Sequence, residues 1–333
     1  MSNGAANSAK VLAIDGGGIR GIIPAVILGE IQKRLGKDLW QCFDLIAGTS
    51  TGGIITAGIC TACNNGEPYT PQQLLDLYVQ NGASIFQKNI FTPISELFLP
   101  KYSPSGLEAV LLKFFADTQF NSALTPLLVS SYDLQTQRPF FFKSHKIAAS
   151  TARDDWNWPV RDIARATSAA PTFFPPLHLV RGGQDYALVD GGVYVNNPSM
   201  AAYVEARRLY PTAKKVVVVS VGTGDRQDGI TYSVAKHWGL TKWARHIVPV
   251  LMDSVSEAVD YELENLPECS YHRLQDEELP PGAAQMDNVT PENIANLQAI
   301  AKKYVATHSA DIDEACADLQ SGRFSDMPGI GLK

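Results

Sequence analysis

The chain lacks several features that would each have placed it in a class. No stretch of its 333 residues approaches the roughly 18 consecutive apolar residues that a membrane-spanning helix needs. The leading residues, Met1 to Lys10, are small and polar, without the apolar stretch of a signal peptide. These absences predict a soluble, cytoplasmic protein whose contact with membranes would be peripheral. Cysteine is scarce and odd in number, with Cys42, Cys60, Cys63, Cys269 and Cys316 making five. Such a set is no disulfide framework. Cys60 and Cys63 form a C-x-x-C within an apolar run, Ile54 to Cys60, that reads as helix, and no second pair follows at zinc spacing. Core packing is therefore expected there, and no metal. Positive charge is in deficit, with 28 Lys and Arg against 34 Asp and Glu, a net −6. That speaks against nucleic acid as a partner, because such binding is driven by a basic surface.

What remains is an ordinary globular balance, 45% hydrophobic and 19% charged, in a chain long enough to bury a large core. No internal repeat or low-complexity linker divides it, so one domain over residues 1–333 is the simplest organisation. Short apolar runs stop at glycine. Val11 to Ile14 runs into Asp15-Gly16-Gly17-Gly18, Phe43 to Ala47 into Gly48, and Ala187 to Val189 into Asp190-Gly191-Gly192. The clearest buried strand, Val216 to Val221, also ends in glycine, at Gly222. Helical spacing follows the first two turns: Ile22, Val26, Ile27, Ile31 and Leu35 after one, and the stretch beyond Ser50 after the other. Strand, glycine turn and helix in succession predict an α/β fold with a mainly parallel central sheet and helices on both faces. Asp276 to Asn288 reads as a surface loop and Pro291 to Cys316 as a closing helical region.

In a parallel sheet the three turns would share one edge, where open α/β folds bind ligands. The central turn, Gly48-Thr49-Ser50-Thr51-Gly52, fits G-x-S-x-G. This pattern puts a serine on a strained bend between strand and helix, with its oxygen standing proud. Flanking glycines are needed there because a Cβ would meet neighbouring backbone. The first turn reads two ways. Gly16-Gly17-Gly18-Ile19-Arg20-Gly21 satisfies the dinucleotide fingerprint G-x-G-x-x-G, although the acidic residue at a suitable distance, Asp38, sits in a loop. Alternatively its amides form an oxyanion hole, with no side chain in the way. The third turn offers a carboxylate, Asp190, which only folding can bring to Ser50. A serine needs a base, and histidine is the usual one. Yet none of the six histidines (His145, His178, His237, His246, His272 and His308) lies in a glycine-flanked turn at a strand end. Either a histidine comes from an unmarked loop or Asp190 serves alone, helped by a pKa raised through burial.

These motifs in this order resemble the patatin-like phospholipases. The resemblance also takes in Arg165-Ala166-Thr167-Ser168-Ala169-Ala170-Pro171 and Asn196-Asn197-Pro198, and is weaker at Ser220 to Gly224. It covers about Lys10 to Ala206. It implies a patatin-type three-layer fold whose catalytic core is residues 10–206, with residues 207–333 completing the sheet and helical layer. It also implies a lipid acyl hydrolase of phospholipase A or lysophospholipase type, with Ser50 as nucleophile and Asp190 as base. No catalytic histidine, metal or cofactor is implied. Gly16, Gly17 and Gly18 take the oxyanion role, with Arg20, Gly21, Gly48, Gly52, Gly191 and Gly192 in support.

A lipid or membrane-surface substrate calls for an interfacial segment. Ile90 to Tyr102 is one candidate, rich in apolar residues. Trp238 to Leu251 is the other, with Leu240, Trp243, Ile247 and Leu251 at helical spacing near Lys236, Lys242 and Arg245. Core packing is the default for the second, since apolar stripes usually face inward, and Pro249 is expected to break that helix. Two other functions remain open at this level. One is a regulated effector or storage protein with residual esterase activity, and the other is a nucleotide-dependent oxidoreductase using the Gly16 to Gly21 loop.

Overall fold

The computed structural model describes residues 8–63, 65–87, 99–149, 156–225, 229–276, 278–320 and 324. Eight strands form one sheet: β1 (Ser8–Ile14), β2 (Leu45–Gly48), β3 (Leu127–Asp133), β4 (Arg138–Lys143), β5 (Leu177–Arg181), β6 (Gln184–Asp190), β7 (Lys215–Val221) and β8 (Cys269–Leu274). The order is β5-β6-β3-β2-β1-β7-β8, with β4 also paired to β3. The run from β3 through β2, β1 and β7 to β8 is parallel. β4 and β6 lie antiparallel to β3, and β5 antiparallel to β6. The fold is therefore α/β with a mixed, mostly parallel sheet.

The central strands are apolar on both faces because both faces are covered. Along β1, Leu12 and Ile14 enter one core and Ala9 and Val11 the other. β7 divides in the same way, Val217, Val219 and Val221 from Val216 and Val218, as a period of two requires. The first core lies under the helices Ile22–Leu35, Thr51–Cys60, Pro71–Ile85 and Pro291–Thr307. The second is thinner and is closed by Ala202 and Ala206 of the helix Ser199–Leu209, with Tyr210 and Phe324. Helix starts follow local chemistry. Thr70 and Gln73 form a reciprocal capping box ahead of Pro71, and Thr290 accepts from Asn293 N ahead of Pro291.

The strand β8 and the helix Leu240–Glu264 are not marked by any glycine turn. That helix runs through Pro249, so the expected break there does not occur. Proline loses one amide bond and crowds the carbonyl four residues back, and burial of Met252, Val259 and Leu263 anchors the helix against that cost. Asp276 to Asn288 is more than a surface loop. Leu279 and Ala283 are buried, and Met286 O accepts from Ile19 N at 2.9 Å, so the segment folds over the first glycine turn. Among the described residues no helix is long and apolar enough to cross a membrane.

Candidate active site

β2 and β6 approach one stretch of β3 from opposite ends. β2 runs parallel to β3 and stops with Gly48 opposite Val129. β6 runs antiparallel and stops with Asp190 opposite Ser131. The two strand ends therefore meet head-on above Val129 to Ser131. Three turns on one parallel edge is thus corrected for Asp190, because β6 enters from the other side. The expected meeting of Ser50 with Asp190 holds by this different route.

Ser50 carries φ 54° and ψ −121°, a backbone state that non-glycine residues rarely adopt. It stands between β2 and the helix Thr51–Cys60, and its amide donates to Thr167 Oγ1 at 2.8 Å. The bend is held tightly. A Cβ on Gly52 would lie 2.1 Å from Ile14 O, so only glycine lets the helix start so close to β1. Thr49 donates to Val195 O at 2.7 Å and pairs with Ser130 Oγ at 2.7 Å, tying the elbow to β3 and to the segment after Asp190.

Asp190 is 1% exposed. Its Oδ1 accepts from Gly192 N at 2.7 Å. Burial raises its pKa to about 7, against the opposing effects of the Ser50 hydroxyl and the Gly192 amide. Oδ2 is buried without a hydrogen bond of full geometry, so the serine is a loose neighbour and not a closed partner. Catalytic hydrogen bonds are commonly long in the absence of substrate.

The first glycine turn lies across the pocket from that pair. Gly17, Gly18, Ser50, Thr51 and Asp190 all line one pocket. Gly16 does not, and its amide is committed to Asn196 O at 3.2 Å. Of the three expected oxyanion donors, only Gly17 and Gly18 have amides with no protein partner among the described residues. Gly18 has φ +60°, and a Cβ there would lie 2.2 Å from Met286 O. Arg20 bonds to Gly224 O at 2.8 Å and supports the turn from below. Asp38 lies on the surface ahead of β2, 3.4 Å from Gln32, whereas a dinucleotide site needs its acidic residue at the end of that strand.

Among the described residues, no histidine lines this pocket. His145 pairs with Glu205, His178 with Asp185 and His272 with Asp318. His246 stacks on Trp238, and His308 on Tyr304. Apart from Tyr78 and Ser168, the remaining walls are apolar, among them Ile54, Ile85, Phe86, Leu107, Phe174 and Met252.

One supporting residue carries no sequence signal. Arg273 on β8 reaches past β7 to Asp15 Oδ2 at 2.7 Å and to Asp260 Oδ2 at 3.2 Å. Burial lifts Asp15 to about 6, while Arg273 holds it down. Asp15 opens the glycine turn, so this pair fixes the turn to the far side of the sheet. In the sequence, Thr167 and Asn196 stand out only within the patatin-like resemblance. Of the two interfacial candidates, residues 90–98 of Ile90 to Tyr102 lie outside the described residues. The stripe Leu240, Trp243, Ile247 and Leu251 is exposed, which overturns the core-packing default.

A mostly parallel α/β sheet, with a serine on a strained strand–helix elbow beside a buried carboxyl, has the geometry of a nucleophile elbow. Residues 12–203 match the family model described as "Patatin-like phospholipase". Patatin-like protein 1 of Oryza sativa subsp. indica is 30% identical, over 96% of this chain and 86% of its own. Patatin-like protein 2 of Arabidopsis thaliana is 31% identical, over 93% and 86%. Patatin group J-1 of Solanum tuberosum is 31% identical, over 91% and 86%. The chain belongs to the patatin-like phospholipase family.

Proposed function

We propose that this protein hydrolyses acyl esters of lipids through a Ser50–Asp190 dyad. The observation that carries the reading is a serine on a strained elbow beside a buried carboxyl whose pKa is raised to about 7, in a pocket with no histidine among its described lining residues. A carboxylate of that pKa is a better base for a hydroxyl than an ordinary one, and it is largely ionised just above neutrality.

In the first half-reaction Asp190 accepts the Ser50 proton as Oγ attacks the ester carbonyl. The Gly17 and Gly18 amides donate to the oxyanion that forms. When the tetrahedral adduct collapses, Asp190 returns the proton to the departing alcohol or lysolipid oxygen, leaving an acyl-serine. In the second half-reaction Asp190 takes a proton from water, which attacks the acyl carbon. The fatty acid leaves and the proton returns to Ser50. The apolar walls around Ile54, Phe86, Leu107 and Phe174 suit an acyl chain. All of these steps use the chain's own groups.

The test is hydrolysis of a short-chain p-nitrophenyl ester by wild type, Ser50→Ala and Asp190→Asn, with EDTA present. Both variants are expected to lose nearly all turnover, and EDTA to change nothing. An active Asp190→Asn would mean another base, and a silent wild type would favour a regulated effector or storage protein.

A further inference from the structure

We propose that the first half of the helix Leu240–Glu264, with the segment leading into it, docks this protein on an anionic phospholipid surface. The proposal rests on the lipid-hydrolase reading of the Ser50 pocket and names the surface from which that pocket would be filled.

Three observations carry it. First, the helix leaves an apolar stripe in solvent. Leu240 is 88% exposed, Trp243 42%, Ile247 38% and Leu251 46%. Their spacing places them on one side of the helix. Tyr232 and Val234, just upstream, are 81% and 52% exposed. The Trp238 ring stands edge-on to Trp243 and stacks on His246. Aromatic rings grouped at one end of an apolar stripe suit the headgroup layer of a membrane.

Second, charge is sorted along the helix. From Gly229 to Met252 the sequence holds Lys236, Lys242 and Arg245 and no acidic residue. From Asp253 to Glu264 it holds Asp253, Glu257, Asp260, Glu262 and Glu264 and no Lys or Arg. Lys236 and Lys242 are exposed beside the apolar stripe. In a chain of net charge −6, this is a local basic and aromatic patch, complementary to a negative surface.

Third, the patch is continuous with the pocket. Val248 and Met252, beside Ile247 and Leu251 in sequence, line the same cavity as Ser50 and Asp190. A surface bound by the stripe would therefore lie at the pocket's rim. A second copy of this chain is the other candidate occupant, and it would bring no preference for anionic vesicles.

The experiment is cosedimentation of the full chain, carrying Ser50→Ala so that hydrolysis cannot alter the vesicles. Phosphatidylcholine vesicles are compared with vesicles that also contain phosphatidylglycerol. Binding is expected to the anionic vesicles, and to weaken as salt is raised. Leu240→Glu with Trp243→Glu should weaken it by about tenfold or more. Lys236→Glu with Lys242→Glu should remove the preference for phosphatidylglycerol. Val180→Glu, at a 67% exposed site on β5, should change nothing. Unchanged binding in the helix variants, or equal loss in Val180→Glu, would overturn the proposal. So would a dimer in gel filtration that the helix variants dissociate while vesicle binding is unaffected. Ester turnover by the wild type decides the hydrolase reading separately, so failure of one leaves the other result standing.

Discussion

At the scale of single residues, the site is governed by two conflicts with ordinary preference. Ser50 holds a backbone angle that side chains avoid, and Asp190 holds a carboxyl that is almost wholly removed from bulk solvent. The second conflict makes a pH prediction. A carboxyl with a folded pKa of about 7 binds its proton more tightly than the same group unfolded, at 3.8. Its favourable contribution to folding is complete below 3.8 and is lost as pH rises through about 7. Asp190→Asn removes that loss, so its melting temperature should gain on the wild type between about pH 4 and about pH 8. A constant gap in differential scanning calorimetry would contradict a raised Asp190. The same group should make ester turnover rise with pH through about 7. Gly52→Ala, whose Cβ would lie 2.1 Å from Ile14 O, should cost at least about 2 kcal/mol in urea denaturation. Gly282→Ala, which meets nothing within 4 Å, is the control.

At the scale of elements, the site depends on where strands stop. Gly48 and Asp190 end β2 and β6 two residues apart along β3, and that meeting creates the pair. The strands that end in glycine were legible in the sequence because a glycine turn and an apolar run are both local signals. The direction of β6 was not. A short strand such as Ala187 to Val189 carries no mark of parallel or antiparallel pairing, which is decided by the β5–β6 hairpin beside it. β8, Cys-Ser-Tyr-His-Arg-Leu, was missed because its polar residues hide it among loops. Arg273 was missed with it, since nothing local marks a side chain that reaches past β7 to Asp15. Arg273→Met leaves Asp15 buried without its cation and should cost about 3–5 kcal/mol in urea denaturation. Asp15→Asn in the same background should recover part of that loss, because it removes the stranded charge.

At the scale of the whole molecule, the sheet does not divide where the sequence resemblance does. The segment about Lys10 to Ala206 contains the serine, the carboxyl and the glycine turn, yet β1 pairs on one side with β7, which begins at Lys215. Truncation after Ala206 would expose β1's ladder edge and remove the valine wall from both cores. The truncated chain is expected to lose near-ultraviolet circular dichroism, whereas the full chain should unfold in one transition by fluorescence and by far-ultraviolet circular dichroism. Two separated transitions in the full chain would argue for independent halves. The glycine turn, the elbow and Asp190 come from opposite ends of one sheet, so the site is a property of the assembled fold.

The most direct test of the dyad is the reaction of the protein with a fluorophosphonate, followed by intact mass and peptide mapping. A single adduct on Ser50 is expected, forming faster as pH rises through about 7, absent in Ser50→Ala and far slower in Asp190→Asn. An adduct at another residue, or an Asp190→Asn variant labelled at the wild-type rate, would contradict the account.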